Sequence, residues 1–234
     1  MAEFFKKFKE LDIFGVKHNT NKSSRWRKPD GAMEDKMTLL DRYEFFLREK
    51  RTKVPFTLLE LGAGPDHNIG ASMRCWKEYF KDTSNLHVAD INTNVAKLQA
   101  EGFKTHVGDL GDVGFLQQLA AMPWDFVLDD ASHLWHHQII GFRRLFPAVK
   151  PGGIYILEDL CTSFGHFRPV YNMSLDQKDT VFYLLAMTRV VASTNLTDNE
   201  NIRSVYNLTD TDIALGRTID MMAWIGNACI IVKK

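Results

Sequence analysis

The fold of this chain is decided by two stretches, Asp129-Asp130-Ala131-Ser132-His133 and Pro151-Gly152-Gly153-Ile154-Tyr155-Ile156-Leu157-Glu158-Asp159. Each acidic pair closes a short apolar run of the kind that forms a strand buried on both faces. Parallel strands end at one edge of their sheet, and α/β proteins carry their chemistry at that edge. We therefore expect four carboxylates to meet where two neighbouring strands end.

Composition narrows the class of protein. The 234 residues suffice for one large domain with a substantial core. Lys plus Arg and Asp plus Glu both total 29, so the chain has no net charge to attract nucleic acid or an anionic membrane. Three scattered cysteines indicate a reducing compartment. Neither a signal peptide nor an apolar stretch of about 18 residues is evident, so we expect a cytoplasmic protein without a membrane partner.

Strand-like runs alternate with helix-like stretches along the core of the sequence. The predicted strands are residues 56–61, 86–91, 105–107, 126–129 and 154–158, and the helices between them are 71–79, 95–101, 113–122 and 134–146. This alternation is typical of a parallel sheet with right-handed crossovers. Runs at 218–224 and 228–232 flank a turn and predict a terminal hairpin. The predicted class is α/β: a doubly wound, mostly parallel, seven-stranded Rossmann-like sheet with helices on both faces and a C-terminal antiparallel β-hairpin.

Two regions lie outside this alternation. Residues 1–53 are predicted to be an N-terminal helical cap segment, with a helix over 37–49, and residues 54–234 to be the main domain. An insertion of about 161–215 could cover a site; Pro151-Gly152-Gly153 before it reads as a turn, and Ser174-Leu175-Asp176-Gln177 within it as the start of a helix. The basic run 17–28 has two readings, a solvated loop or a segment that folds over a ligand.

A glycine turn follows the first core strand. Gly62 and Gly64 allow backbone to approach a ligand where side chains would clash. The third glycine of the dinucleotide fingerprint is missing, which disfavours a bound pyrophosphate. Glu60, beside the turn, would repel a pyrophosphate but could attract an amino group.

The next two strands also end in acids. Asp90 is placed to accept hydrogen bonds from the ribose hydroxyls of an adenosine. Asp109, with Leu110, could bracket an adenine ring. Each aspartate alone is more often a turn or helix cap, but acids and glycines on successive strand ends favour a nucleoside site.

Residues 56–165 resemble the class I S-adenosylmethionine-dependent methyltransferases. Within them, residues 126–164 are similar to the magnesium-dependent sugar O-methyltransferases of macrolide biosynthesis and to rhamnosyl methyltransferases. The resemblance implies S-adenosyl-L-methionine and Mg²⁺ as cofactors, with Mn²⁺ or Ca²⁺ as replacements for the metal. The implied cofactor-binding residues are Glu60, Gly62, Gly64, Asp90, Asp109, Leu110 and Asp129; the metal ligands are Asp130, Glu158 and Asp159; the catalytic base is His133.

Elementary chemistry agrees with part of this assignment. Clustered carboxylates repel one another unless a cation neutralises them, and Mg²⁺ prefers oxygen ligands. His133 opens a predicted helix, whose positive end keeps the imidazole neutral and available as a base. A zinc site of His133, His136 and His137 is an alternative that no cysteine supports. Asp129 could instead be a structural partner of a backbone amide.

The predicted function is a divalent-metal-assisted O-methyltransferase that acts on a hydroxyl of a sugar or glycosylated natural product. The expected partner is a small hydroxylated molecule such as a glycoside, and association into a homo-oligomer is left open. Cys161 stands where related sequences often carry histidine, which bears on the identity of the substrate. The alternatives are an NAD(P)-dependent oxidoreductase and a non-catalytic methyltransferase-like interaction module.

Overall fold

A computed structural model describes residues 7–36, 38–52, 55–81, 85–172, 178–193 and 196–234. The chain divides into two compact units, Met1–Gly108 and Asp109–Lys234, which we describe separately. The predicted division at residue 53 stays a prediction.

The first unit opens with two helices and a hairpin. They are α1 (Glu10–Lys17), β1 (Arg25–Arg27), β2 (Met33–Asp35) and α2 (Leu40–Leu47), the last continued by a 3-10 helix (Arg48–Thr52). The prediction that this region is helical is wrong for β1 and β2, which pair antiparallel. The turn between them contains Pro29-Asp30-Gly31. Asp30 Oδ1 accepts a hydrogen bond from Ala32 N, and Gly31 has φ +86°.

Three parallel strands follow in the same unit. They are β3 (Leu58–Leu61), β4 (Leu86–Asp90) and β5 (Lys104–Val107), in the order β5-β4-β3. Between β3 and β4 lies α3 (Ala71–Phe80), as predicted. The helix predicted after β4 is present as a 3-10 helix (Thr93–Glu101), and the Asn92 side chain accepts a hydrogen bond from Asn94 N at its start.

The second unit holds the other four strands of the sheet. Its elements begin with α4 (Val113–Ala120), β6 (Trp124–Asp129), α5 (Trp135–Leu145) and β7 (Val149–Leu157), and end with β8 (Ile219–Ile225) and β9 (Ala228–Lys233). β6 and β7 are parallel, whereas β9 pairs antiparallel with both β7 and β8, giving the order β6-β7-β9-β8. The predicted turn at Pro151-Gly152-Gly153 lies inside β7, where Gly152 has φ +70° and the β6–β7 register shifts.

The insertion is largely helical. After two 3-10 helices (Leu160–Ser163 and Gly165–Phe167) come α6 (Arg168–Tyr171), α7 (Thr180–Ala192), α8 (Leu196–Tyr206) and α9 (Asp210–Arg217). The predicted cap at 174–177 lies outside the described residues. α7 is capped by Asp179, whose side chain accepts a hydrogen bond from Phe182 N.

These elements confirm the predicted fold class. The seven strands form a mostly parallel sheet with helices around it and an antiparallel hairpin at the C-terminal end. β3 and most of β6 and β7 are buried, which is why they read as continuous apolar runs. No helix in the described ranges has the length and apolarity needed to cross a membrane.

Candidate active site

The ends of β6 and β7 bring together three of the predicted site residues. Asp130, directly after β6, and Asp159, two residues after β7, lie beside His133, and one ligand atom from each falls within 4.8 Å of the other two. The pairing of Asp129 with Leu157 fixes the two strands in this register. All three side chains are half-buried. The sequence-based expectation that acids meet at this edge is confirmed for Asp130 and Asp159.

His133 faces this group with one of its two ring nitrogens. Its Nε2 lies 3.2 Å from Asp159 Oδ2. Its Nδ1 is buried and accepts no hydrogen bond within the described part of the chain. The residue precedes α5 and has φ +55°, in the left-handed region. His133 thus presents Nε2, and not the buried Nδ1, to the acidic cluster.

Asp159 is held by a residue that the sequence did not identify as part of the site. The Asn227 side-chain amide donates to Asp159 Oδ1 at 2.7 Å, and the Asn227 carbonyl accepts from Leu160 N at 2.8 Å. Asp159 itself has φ +55°. Asn227 lies in the β8–β9 turn, and its contact depends on β9 pairing with β7, which no local motif reveals.

Glu158 lies next to this group but is not among the three clustered residues. Its side chain is 4% exposed. Its backbone N–H donates to the Asp129 carbonyl, and its carbonyl accepts from Gln138 Nε2 at 2.8 Å. Gln138 Oε1 accepts in turn from Thr180 Oγ1 at 2.7 Å, which ties the end of β7 to the insertion. The role of Glu158 as a metal ligand stays a prediction, and His133 takes its place in the observed cluster.

Asp129 points into the protein interior. Its side chain is 2% exposed and accepts a hydrogen bond from the Tyr155 hydroxyl at 3.2 Å. Burial raises the pKa of this carboxyl to about 7, and the charge of Asp130 adds to the rise. A hydrogen bond from the Ala131 backbone amide, which opposes the rise, is the contact that the structural alternative for Asp129 predicts, and the place of Asp129 in a cofactor pocket stays a prediction.

The glycine turn of the first unit has the geometry that its sequence predicts. Gly62 and Gly64 have φ of +93° and +82°, values that favour glycine. Asp90 supports the turn, because its Oδ2 accepts from Ala63 N at 2.7 Å and its Oδ1 from Asn92 N at 2.8 Å. A carboxylate has about four acceptor positions, so Asp90 can still accept from a ribose hydroxyl.

Glu60 makes its visible contacts with α3. The side chain is 1% exposed, Oε1 accepts from Ser72 Oγ at 2.6 Å, and Oε2 accepts from Trp76 Nε1 at 2.9 Å. The carboxylate thus anchors the helix that follows the glycine turn. Its predicted attraction for a cofactor amino group is an additional role that these contacts do not test.

The remaining predicted residues divide between exposed and buried positions. Asp109 is exposed, and its Oδ1 accepts from Gly111 N at 2.8 Å in a turn, whereas Leu110 is buried. Of the three histidines of the zinc alternative, only His133 joins the observed cluster of described residues. His137 Nδ1 instead lies 2.9 Å from Ser132 Oγ.

The basic segment approaches the glycine turn from within the first unit. The Asn19 carbonyl accepts a hydrogen bond of 2.8 Å from Asn68 Nδ2. Lys22, predicted as part of a solvated or ligand-covering run, is 3% exposed. The solvated-loop reading is therefore wrong for Lys22.

A cavity of about 500 Å³ lies beside Asn227 in the second unit. Its lining is mostly apolar and consists of Leu160, Cys161, Phe164, Val181, Leu185, Trp224, Gly226 and Asn227. The cavity thus shares Asn227 with the hydrogen bond that holds Asp159.

The observed cluster fits a divalent cation. Asp130 and Asp159 supply hard oxygen ligands, and His133 Nε2 lies beside them, 3.2 Å from Asp159 Oδ2. Oxygen ligands suit Mg²⁺ and also Mn²⁺.

Comparison with solved structures identifies the fold. A MycE methyltransferase from the mycinamycin biosynthetic pathway, in complex with Mg, SAH and mycinamycin VI, superposes with a TM-score of 0.72 at 23% sequence identity. The alignment covers 96% of this chain and 54% of that one. The chain therefore has the same fold as that methyltransferase. No protein-family model matches this methyltransferase-fold chain.

Its curated sequence relatives are O-methyltransferases. The demethylmacrocin O-methyltransferase of Streptomyces fradiae is 38% identical over 128 residues, which are 52% of this chain and 31% of that protein. The mycinamicin VI 2''-O-methyltransferase of Micromonospora griseorubida is 35% identical over 130 residues, again 52% of this chain and 31% of the relative. The methyltransferase-fold chain thus matches about a third of the length of these relatives.

Proposed function

We propose that this chain is an S-adenosylmethionine-dependent, divalent-metal-assisted O-methyltransferase that acts on a sugar hydroxyl of a small glycosylated molecule. The observation that carries the proposal is the cluster of Asp130, His133 and Asp159 at the carboxyl ends of two neighbouring strands. The curated relatives named above are O-methyltransferases, which supports the reaction, and their names give demethylmacrocin and mycinamicin VI as substrates, which supports a natural-product acceptor. Mg and SAH in the MycE complex support the two cofactors.

The proposed site residues form two groups, one for the cation and one for S-adenosylmethionine. Asp130, Asp159 and Glu158 would hold the cation, which when bound lowers the pKa of a substrate hydroxyl and orients it. Glu60, Gly62, Gly64, Asp90, Asp109 and Leu110 are the proposed contacts of S-adenosylmethionine, with Asp129 retained as a weaker member of that set.

His133 is the proposed base. Its Nε2 lies 3.2 Å from Asp159 Oδ2, at the proposed cation site, and is the ring atom placed to accept the hydroxyl proton. The substrate oxygen then attacks the methyl carbon of the sulfonium, the carbon–sulfur bond breaks, and S-adenosylhomocysteine leaves with the electron pair. The sulfonium is already an activated donor, so alignment of oxygen, carbon and sulfur supplies most of the rate gain.

The proposal is tested by binding first and turnover second. Calorimetry should show binding of S-adenosylmethionine and of S-adenosylhomocysteine. A thermal-shift titration should show no preference for NAD over S-adenosylmethionine. With Mg²⁺ and a panel of glycosides, mass spectrometry should detect a gain of one methylene on the acceptor together with S-adenosylhomocysteine.

Two outcomes would contradict different parts of the proposal. Absence of S-adenosylmethionine binding would overturn the methyltransferase assignment. If Asp130→Ala and Glu158→Ala leave both the methylation rate and its Mg²⁺ dependence unchanged, the metal assignment falls while the methyl transfer stands.

A further inference from the structure

The cavity beside Asn227 is built for an apolar ligand. Its volume of about 500 Å³ lies within the range of small-molecule sites. Phe164, Leu185 and Trp224 line it and are 59%, 48% and 41% exposed. Large apolar side chains grouped at a concave surface are a mark of a binding site. No charged side chain is among its described lining residues.

The cavity adjoins the candidate metal centre. Asn227 lines it and also donates a hydrogen bond to Asp159 Oδ1. Leu160, another lining residue, follows Asp159 directly and donates its N–H to the Asn227 carbonyl. Asn227 and Leu160 are therefore shared between the wall of the cavity and the backbone and side-chain contacts that hold Asp159.

We infer that this cavity is the subsite for an apolar portion of the acceptor, which presents its sugar hydroxyl to Asp130, His133 and Asp159. The inference rests on the proposed function and narrows its substrate. A free sugar or a polysaccharide would place hydroxyls against Leu185 and Trp224, where few hydrogen-bond partners line the wall. A glycoside with an apolar aglycone buries apolar surface there instead.

Cys161 provides a probe of occupancy that does not depend on turnover. It lines the cavity and is exposed, whereas Cys75 and Cys229 are buried. A thiol reagent such as 5,5'-dithiobis(2-nitrobenzoic acid) should therefore modify Cys161 first, and Cys161→Ser should remove the fast phase. The matched ligands are octyl and methyl β-D-glucopyranoside, which share the sugar and differ only in the length of the alkyl chain. The octyl glycoside is used below its critical micelle concentration.

The octyl glycoside should slow the modification of Cys161 at concentrations at least about tenfold lower than the methyl glycoside, because each buried methylene strengthens binding about fourfold. Leu185→Gln should abolish this difference without changing the thermal midpoint. The control Ile13→Gln, at a position 62% exposed on α1, should leave it intact.

Equal protection by both glycosides, or none by either, would overturn the subsite. So would a Leu185→Gln variant that keeps the full difference. These results are separable from the methyltransferase proposal. Methylation of an acceptor without protection of Cys161 would contradict only the proposed subsite. Protection of Cys161 without binding of S-adenosylmethionine would contradict only the proposed reaction.

Discussion

The Asn227 amide and Asp159 Oδ1 are joined by a hydrogen bond of 2.7 Å, which links the terminal hairpin to the acidic cluster. The bond occupies Oδ1 and leaves Oδ2 directed at His133, 3.2 Å from its Nε2. Asn227 is therefore a positioning residue for a proposed metal ligand.

Asn227→Ala should weaken binding of a divalent cation about tenfold to 100-fold, the usual effect of removing a partner that orients a ligand. Binding of Mn²⁺, followed by electron paramagnetic resonance, measures the change directly. Asn201→Ala, at an exposed position of α8, is the matched control. An unchanged Mn²⁺ affinity in Asn227→Ala would show that Asp159 needs no such support.

His133→Gln should lower kcat about 10²- to 10⁴-fold, the range for loss of a general base. Mn²⁺ affinity should fall far less than in Asp130→Asn, because a base is not required to hold the cation. Methyl transfer from radiolabelled S-adenosylmethionine and Mn²⁺ resonance provide the two measurements, with His136→Gln as control. If both variants lose Mn²⁺ binding equally, His133 is a ligand and the base lies elsewhere.

Asp90→Ala should weaken S-adenosylhomocysteine binding about tenfold or more, since hydrogen bonds to charged groups contribute about 1.5–3 kcal/mol. The expected loss has two sources, the proposed ribose contact and the hydrogen bond of 2.7 Å from Ala63 N to Asp90 Oδ2 in the glycine turn. Calorimetry of the variant and of Asp220→Ala, a control at an exposed position of β8, separates a specific effect from a general one. Retained affinity in Asp90→Ala would remove Asp90 from the cofactor site.

Acid should destabilise the protein through a buried histidine. Burial lowers the pKa of His87 from 6.5 to about 4, and His106, whose Nε2 lies 3.0 Å from His87 Nδ1, adds to the shift. A lowered folded-state pKa gives stability that is complete above pH 6.5 and is lost as the pH falls toward 4.

The lost stability amounts to at most about 3 kcal/mol, by the conversion of 1.36 kcal/mol per pKa unit. Urea denaturation between pH 7 and pH 4 gives the free energy of unfolding at each pH. This free energy should fall less steeply with pH in His87→Gln than in the wild type. The control His67→Gln, at an exposed position, should behave like the wild type. The same pH dependence of the unfolding free energy in all three proteins would mean that His87 does not take up a proton on unfolding.

The sequence predicted the sheet well because its strands are buried and uniform. β6 and β7 are continuous apolar runs that end in acids, and the meeting of Asp130 with Asp159 follows from parallel pairing. The hairpin of β1 and β2 is not predicted from the sequence, because each strand has only three, mostly polar residues and so lacks the apolar alternation of a longer strand.

Other features of the site were beyond sequence reasoning. Asn227 contacts Asp159 from 68 residues away, through a strand that inserts beside β7. Likewise, nothing local to Glu60 indicates that Ser72 and Trp76 of α3 donate to its carboxylate. Such contacts are fixed by long-range register and helix packing.

His133 and Asp159 both have φ of +55°, and neither is glycine. Left-handed backbone costs of order 1 kcal/mol at a residue with a side chain, although histidine and aspartate tolerate it better than most. Stability and activity therefore compete at these same two positions. Selection for thermal stability alone should favour His133→Gly and so remove the proposed base, whereas Asp159→Gly would also lose the hydrogen bond from Asn227.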